Sequence, residues 1–466
     1  MVETIMKVNG VINSFVWGPV MLFLLVGTGV FLSWRCGWLQ VRKFGFILKN
    51  TIGTLFKKSE KSGKDHGKNL SPFQAMSTAL AGTVGTGNIA GVTGAIFLGG
   101  PGAVFWMWIS AFFGMCTKYA EIALSIRFRE VEPDGTHKGG PMYYIEKGLG
   151  PKFKPLAVLF ALLAGIASFG IGNIAQSSEI GSAVENMFGV KPIVTGVVLA
   201  LLVGIVILGG IQRIGQVTSY LVPLMAAFYI LAGVAVLVLR ITQVPAALMT
   251  IFKSAFNMEA VGGGVFGYGL MLAMRHGFAR GVFSNEAGLG SAPIAHAASS
   301  TQEPVEQAIW GVFEVFIDTV VICTITGLTV ILSGVYLTPG GLEHFGSNGM
   351  AAVAAFNSIL PGTLGGTVIQ LSLLFFSFST ILGWSYYGER CWGYLTGENR
   401  TVKTLFKVLF SAMCVVGTLG SGSLMWNISD TLNGMMAIPN LVGLLLLSGV
   451  VAKLTRDYFG VKTLNK

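Results

Sequence analysis

Residues 81–91 read AGTVGTGNIAG, with four glycines and one asparagine inside an otherwise apolar stretch. Gly85, Gly87 and Ala90 also satisfy the spacing G-x-G-x-x-A, which on its own would suggest a dinucleotide-binding turn. That turn requires a preceding strand and a soluble βαβ unit around it, and the remainder of the chain supplies neither. Of 466 residues 53% are hydrophobic and only 11% are charged, against roughly a quarter charged in an ordinary soluble domain. A water-solvated surface cannot be built from that composition.

Apolar runs long enough to cross a bilayer recur along the whole chain. They lie near 11–32, 72–98, 102–126, 156–180, 192–210, 217–239, 262–298, 308–335, 365–388, 405–423 and 431–452, which predicts eleven spans. The first follows the opening MVETIMKVNG and has no small-residue cleavage site, so it reads as a retained span rather than a signal peptide. The five cysteines, Cys36, Cys116, Cys323, Cys391 and Cys414, are scattered and imply neither a disulfide framework nor a zinc site.

The net charge of +10 is explained by where the cations fall. Nine Lys/Arg lie between Arg35 and Lys68, six between Arg127 and Lys154, then Arg213, four from Arg390 to Lys407 and four from Lys453 onward. The alternate connections hold only Lys7, Lys191, Arg240 and Lys253. The positive-inside rule then puts the N-terminus outside and the C-terminus in the cytoplasm. The basic charge is an orientation signal and a contact with anionic lipid in the bilayer, not a nucleic-acid footprint. In the first inner connection Phe44, Ile47, Leu48, Ile52 and Leu55 recur at helical spacing beside Lys43, Lys49 and Lys57, as in an amphipathic helix lying on the membrane surface.

Setting the first span aside leaves two sets of five, and an odd number per set gives the halves opposite orientation. The expected organisation is residues 1–71 for the extra span and basic segment, 72–240 for one five-helix repeat and 241–466 for its inverted counterpart. Each half opens on a glycine-interrupted span: AMSTALAGTVGTGNIAGVTGAIFLGG at 75–100 and GYGLMLAMRHGFARGVFSNEAGLGSAPIAHA at 267–297. Each glycine inside a helix costs about 1 kcal/mol against alanine, so such a run permits unwinding. Unwound backbone survives in a membrane only where it lines a protein cavity. Freed carbonyls there suit a cation, and amides at the restart of the helix suit a carboxylate. Such a site fits a zwitterion travelling with a cation. A small-residue face for close helix packing is the blander alternative; it leaves Thr83, Thr86 and Asn88 unexplained.

Three stretches, GTVGTGNIAG, GGPGAVFWMWISAFFG at 99–114 and GFARGVFSNEAGLGSAPIAHA, together closely resemble the alanine or glycine:cation symporters, also called sodium:alanine symporters. The resemblance runs over nearly the whole chain. It implies an all-α, LeuT-like fold with one added N-terminal span, sodium-coupled import of small neutral amino acids such as alanine or glycine by alternating access, and the plasma membrane of a prokaryote. It implies no enzymatic activity and no cofactor beyond the coupling Na+. Glutamine as main substrate and proton coupling stay open, as does an amino-acid-gated channel or sensor. By the same resemblance, carbonyls near Gly82 and Val84 would hold sodium with the hydroxyls of Ser379 and Thr380 in FFSFSTILGW. Hydroxyls bonding back to their own helix are the alternative. Amides of Gly85, Thr86 and Gly87, beside Asn88, would take the substrate carboxylate, Ser284 or Asn285 at the second break would help with the amino group, and Phe283 would be a further substrate contact. Asn173 and Gln176 in FGIGNIAQSSE would add polar contacts, or serve as interhelical hydrogen bonds.

Buried charges need partners. Lys118 and Glu121 stand three apart and are expected to pair on one helix face. Arg275, Arg280 and Glu286 are expected to pair with Glu314 and Asp318 in structural or gating salt bridges, with a direct proton or sodium ligand as the sharper alternative. Asp318 would lie deep, about ten residues or 15 Å into its span. His276 and His296 read as satisfied core histidines, and Trp106 and Trp108 as interfacial anchors or packing residues.

Overall fold

A computed structural model describes residues 2–55, 68–256, 263–420 and 422–464 of the chain. It is helical almost throughout. Its one small sheet is a hairpin pairing Glu130–Val131 with His137–Lys138. A helix or helix pair lies at each of the eleven apolar stretches. Among the described residues, seven helices are long and apolar enough to cross a membrane, or eight if the bent pair Pro72–Thr83 and Gly87–Gly99 is one span. The structure therefore supports a polytopic helical bundle and leaves the count of eleven as an expectation.

The first span is longer than its apolar core. It runs as Val2–Val16 and Pro19–Arg35, interrupted at Gly18, where a proline follows at the helix start. Helices Pro192–Leu208 and Gly210–Leu239 expose a broad apolar face that includes Val197, Leu201, Ile205, Leu224 and Leu231. Such a face suits lipid, in which an apolar side chain needs no cover. The amphipathic stretch of the first connection is helical over Phe44–Asn50 and Ile52–Leu55, with Ile47 buried and the Phe44 ring 5.2 Å from that of Phe316, so part of its apolar side packs on the protein. Lys57 lies outside the described residues.

The connections that the charge pattern assigns to one side do meet on one face. Leu70 pairs with the 298–300 backbone, donating to Ala298 at 2.9 Å and accepting from Ser300 at 2.7 Å. Arg129 donates to the Ser299 carbonyl at 2.8 Å. Lys138 reaches Glu398 at 3.3 Å, and Arg390 reaches Glu132 at 2.9 Å. Burial opposes the charge of Glu398, yet the Lys403 hydrogen bond and the nearby Arg390 and Lys138 hold its carboxyl below the usual glutamate range.

Three helices near the middle of the bundle contain wide turns with i→i+5 character: Gly87–Gly91, Gly170–Ile174 and Phe316–Cys323. Such turns inside helices often mark functional sites. All three sit beside the two breaks in the spans.

Candidate functional site at the two helix breaks

The first broken span starts cleanly. Ser71 caps it by accepting from the Gln74 amide at 3.2 Å, the Gln74 side chain accepts from the Ser71 amide at 3.0 Å, and Pro72 occupies the first turn. That capping box fixes where the helix begins. The helix ends at Thr83, Val84 is extended, and the chain restarts at Gly87 after a 51° bend. The interruption expected from the glycines is present.

Gly85 sits at the bend, in close contact with two other helices. A Cβ there would lie 2.7 Å from Thr380 Oγ1 and 3.6 Å from Gln176 Oε1. A Cβ on Gly87 would lie 3.1 Å from the Phe283 ring. Thr86, Gly87 and Phe283 line a cavity of about 330 Å³, together with Ala90, Gly91, Glu179, Arg280, Ser347 and Asn348. Thr86 and Gly87 open the second half-helix, and first-turn amides have no intrahelical partner. The Gly85 amide is different: it donates to Asn88 Oδ1 at 2.9 Å. The expected three-amide cradle is thus reduced to Thr86 and Gly87.

Gln176 reaches this spot from the helix that follows the Gly170–Ile174 turn. Its Nε2 donates to the Ile171 carbonyl at 3.2 Å and to Thr86 Oγ1 at 3.4 Å. Its Oε1 is buried and has no hydrogen-bond partner. Buried acceptors are nearly always satisfied in native proteins, so this atom marks a position where a donor is expected. Asn173, one turn earlier, is turned elsewhere. It donates to the Phe410 carbonyl at 2.6 Å and accepts from Ser177 at 3.2 Å, which makes it an interhelical tie and not a cavity contact.

Ser379 and Thr380 face the first break as a pair. Ser379 Oγ lies 3.5 Å from the Ala81 carbonyl and Thr380 Oγ1 lies 3.4 Å from the Val84 carbonyl. Both hydroxyls also donate to Phe376 of their own helix at 2.9 Å. The nearer carbonyl to Ser379 is Ala81 rather than Gly82. Gly82 itself is a packing glycine: a Cβ there would meet the Tyr387 hydroxyl at 2.8 Å, and one on the facing Gly383 would meet Gly82 Cα at 2.8 Å. At this position the small-residue reading describes the geometry.

The remaining expected residues form a second polar cluster beside the first. Asn88 Nδ2 donates to Asp318 Oδ1 at 2.7 Å and contacts Ser284 Oγ at 2.8 Å. Ser284 and Thr319 hydroxyls donate to Asp318 Oδ2, each at 2.7 Å. Asn285 donates to Thr319 at 3.1 Å and accepts from the Ala287 amide at 3.0 Å. Asp318 is completely buried and surrounded here by neutral donors. Its neighbours were visible in the sequence only as separate polar positions.

The second break is built differently. Helix Gly263–Asn285 stops, and a short helix Ala292–Ala297 follows. Between them Glu286 takes a left-handed backbone with φ 54°, and Gly288 and Gly290 also have positive φ. A non-glycine residue there is unfavourable unless its surroundings hold it. The Glu286 carboxylate accepts from Ser291 and, at 3.2 Å, from Trp384 Nε1. Glu121 accepts from the Gly288 amide at 3.0 Å and from Asn440 at 2.6 Å.

The charge pairs differ from the expected ones. Lys118 lies 3.2 Å from Glu314 and not in a pair with Glu121. Glu314 also meets His296 Nε2 at 3.1 Å, and the other ring nitrogen faces Gln307 at 2.8 Å. His296 is the satisfied core histidine that was expected. Among the described residues no ion pair joins Arg275 or Arg280 to Glu314 or Asp318; the Arg280 guanidinium sits 5.2 Å from the centre of the Phe283 ring. Trp106 and Trp108 are packing residues that donate to the Ala255 carbonyl at 3.1 Å and to Thr324 at 2.7 Å.

Comparison with known proteins agrees with this architecture. The model of the sodium:alanine symporter family matches residues 2–466. The sodium/alanine symporter AgcS of Methanococcus maripaludis is 49% identical over 96% of this chain and 96% of its own length. The "Probable sodium/glutamine symporter GlnT" of Bacillus subtilis is 36% identical over 100% of this chain and 93% of its own. Among solved structures, MhsT in complex with L-phenylalanine superposes with a TM-score of 0.59 at 15% identity, covering 84% of this chain and 99% of that one. A Na+-coupled sialic acid symporter in a substrate-bound outward-open state gives 0.54 at 13% identity, over 93% and 87%. At these identities the two structures speak for the fold alone, which is LeuT-like. The family and its relatives are transporters rather than enzymes, and the chain belongs to the sodium:alanine symporter family.

Proposed function

We propose that this protein imports a small neutral amino acid together with sodium across the cell membrane of a prokaryote, by alternating access between two inverted five-helix repeats, 72–240 and 241–466. The observation that carries the reading is the meeting of three features at Gly85. The Thr86 and Gly87 amides begin a half-helix at a cavity, the partnerless Gln176 Oε1 faces the same bend, and Thr380 with the Val84 carbonyl lies directly behind it. The two amides would take the carboxylate. Gln176 Oε1 would take the ammonium group. Gly87 leaves room at the cavity, Gly85 lets Thr380 and Gln176 approach the bend, and Phe283 closes one side, which favours a short side chain such as that of alanine or glycine.

Sodium wants oxygen ligands, as hard cations do. Two oxygens each about 2.4 Å from one ion and at right angles lie about 3.4 Å apart, which is the Thr380–Val84 separation of 3.4 Å. The Ala81 carbonyl and Ser379 hydroxyl add two more oxygens. Asp318 is a second cation position in this scheme, because it is a buried carboxylate whose partners are an amide and two hydroxyls. The scheme has eleven spans with the N-terminus outside and the C-terminus in the cytoplasm. Lys152, exposed on the basic face, tests the orientation: a cysteine in its place is labelled only from the cytoplasmic side of intact cells.

The deciding experiment is uptake of labelled alanine into proteoliposomes with an imposed sodium gradient, a proton gradient or neither, competed by unlabelled alanine, glycine and glutamine. Sodium-driven, saturable uptake blocked best by alanine or glycine supports the proposal. Uptake driven equally by protons alone, or blocked best by glutamine, replaces its ion or its substrate. Non-saturating flux in both directions would indicate a channel.

A further inference from the structure

On the basic face, most cations near the 130–150 and 390–407 connections already have carboxylate partners. Lys138 and Lys147 meet Glu130, Arg390 meets Glu132, Lys403 meets Glu398 and Lys407 meets Glu389. A different arrangement occurs where the first span meets the last helix. A cavity of about 450 Å³ there brings together Arg35, Arg42, Lys43 and Arg456, walled by Trp34 and Phe459. Among the described residues no carboxylate lies within ion-pair distance of any of the four cations. Among the described residues, then, four like charges are gathered without an ion-pair partner.

The backbone that gathers them is specifically folded. Helix Pro19–Arg35 ends at Cys36, and Gly37 and Trp38 both take left-handed conformations with φ 65° and 55°. The Trp38 amide donates to the Ser33 carbonyl at 2.7 Å, and the buried Gln40 side chain donates to Ser33 Oγ at 2.7 Å. This turn brings Arg42 and Lys43 back beside Arg35. Lys43 Nζ then stands 4.9 Å from the Phe459 ring centre, and Arg35 stacks on Phe31 at 5.8 Å. The left-handed Trp38 is held against its intrinsic preference by these bonds.

We infer that this cavity binds the phosphate headgroup of an anionic phospholipid of the cytoplasmic leaflet. Arginines and lysines with no carboxylate partner among the described residues, in a basic pocket between spanning helices, supply the donors that a phosphodiester needs. The choice of a lipid over a soluble phosphate rests on the walls. Trp34, Val30 and Leu446 are exposed on the two helices that flank the cavity, on the membrane side of the cations, where acyl chains would lie. The inference rests on the membrane orientation proposed above, and on no part of the substrate or sodium assignment. It gives the added N-terminal span a role: a lipid headgroup would bridge it to the last helix.

The test is native mass spectrometry of the full chain purified in detergent and incubated with phosphatidylglycerol or phosphatidylcholine. Wild type should retain phosphatidylglycerol preferentially. The triple variant Arg42→Gln/Lys43→Gln/Arg456→Gln should lose that retention by about tenfold or more, while Lys152→Gln, an exposed cation on the same face, should keep it. Equal retention by wild type and the triple variant would overturn the inference. So would displacement of the lipid by millimolar inorganic phosphate, which would make the cavity a soluble-anion site. If the triple variant does not elute as a folded species, Arg456→Gln alone, an exposed single change, decides by the same readout. Because the measurement uses neither sodium nor amino acid, a failed transport proposal leaves its outcome interpretable.

Discussion

The two helix breaks solve the same backbone problem in opposite ways. At the first, part of the freed backbone is left facing space: Thr86 and Gly87 open on a cavity, and the nearby Gln176 oxygen has no partner, while the Gly85 amide is held by Asn88. At the second, freed backbone is tied down by carboxylates. Glu121 accepts from the Gly288 amide, and Glu286 bridges Ser291 and Trp384 from a left-handed position. The difference teaches that an unwound span is not by itself a ligand site. What distinguishes the first break is that the amides of Thr86 and Gly87 open on a cavity beside the unpartnered Gln176 oxygen; at the second, the Gly288 amide is taken by Glu121, although Glu121 Oε2 itself has no hydrogen-bond partner.

If that contrast is right, damage near the second break should appear as lost protein and damage at the first as lost binding. Lys118→Met should have the largest effect. It leaves Glu314 buried without its ammonium partner, and breaking a buried pair costs about 3–5 kcal/mol. The amount of protein reaching the membrane and its thermal midpoint should both fall sharply. Normal levels and normal melting would detach the second break from that pair.

Gln176→Leu comes next. A hydrogen bond to a charged group contributes about 1.5–3 kcal/mol, so alanine affinity should drop roughly tenfold to a hundredfold while melting stays near wild type. An unchanged affinity measured by calorimetry would remove Gln176 from the ammonium position. Thr380→Ala should act on the ion with a smaller effect, raising the sodium concentration for half-maximal uptake several-fold, on the order of 1 kcal/mol for one lost ligand. Ser379→Ala should act in the same direction. Unaltered sodium dependence in both would leave those hydroxyls as local helix bonds to Phe376.

The smallest effect concerns acid. Glu398 has a carboxyl held below the usual range in the folded protein by Lys403, Arg390 and Lys138. Its contribution is therefore complete above the unfolded glutamate value of about 4.3 and is lost as pH falls through the lower folded value. Thermal midpoints of wild type and Glu398→Gln should differ at neutral pH and converge below about pH 4. A gap that persists in acid would mean that the carboxylate charge is not what matters there.

Much of the fold was legible because membrane physics restricts the options. Long apolar runs, cations gathered in alternate connections and two glycine-broken spans each leave a signal in local sequence. Ser379 and Thr380 came instead from the family resemblance, which singled out adjacent hydroxyls on one helix. Partners distant in sequence were not legible. Helical spacing offered Glu121 to Lys118, but the ammonium meets Glu314, almost two hundred residues away, because two helices pack there. The wide turn at 316–323 has no glycine punctuation, and the one at 170–174 carries Gly170 and Gly172 in GIGNI without breaking its span; they turn Asp318 toward Asn88 and Asn173 away from the cavity. Left-handed Glu286 was equally hidden, since its conformation comes from surrounding bonds and not from its own preference.

The central claim is that amino acid and sodium meet at the first break, with Gly85 between them. Its Cβ would intrude on Thr380 Oγ1, 2.7 Å away, and on the space before Gln176. The direct measurement is calorimetric titration of alanine into purified wild type, Gly85→Ala and Gly87→Ala over a range of sodium concentrations, with Ala79→Gly as a control earlier in the same helix. The account expects wild-type and Ala79→Gly affinity to rise with sodium. Gly85→Ala should bind at least about tenfold more weakly, a loss of about 1.4 kcal/mol, with the sodium dependence flattened. Gly87→Ala, whose Cβ meets the Phe283 ring at 3.1 Å and not Thr380, should weaken binding but keep that dependence. Wild-type affinity and sodium dependence in both glycine variants would contradict the account and return the glycines to helix packing.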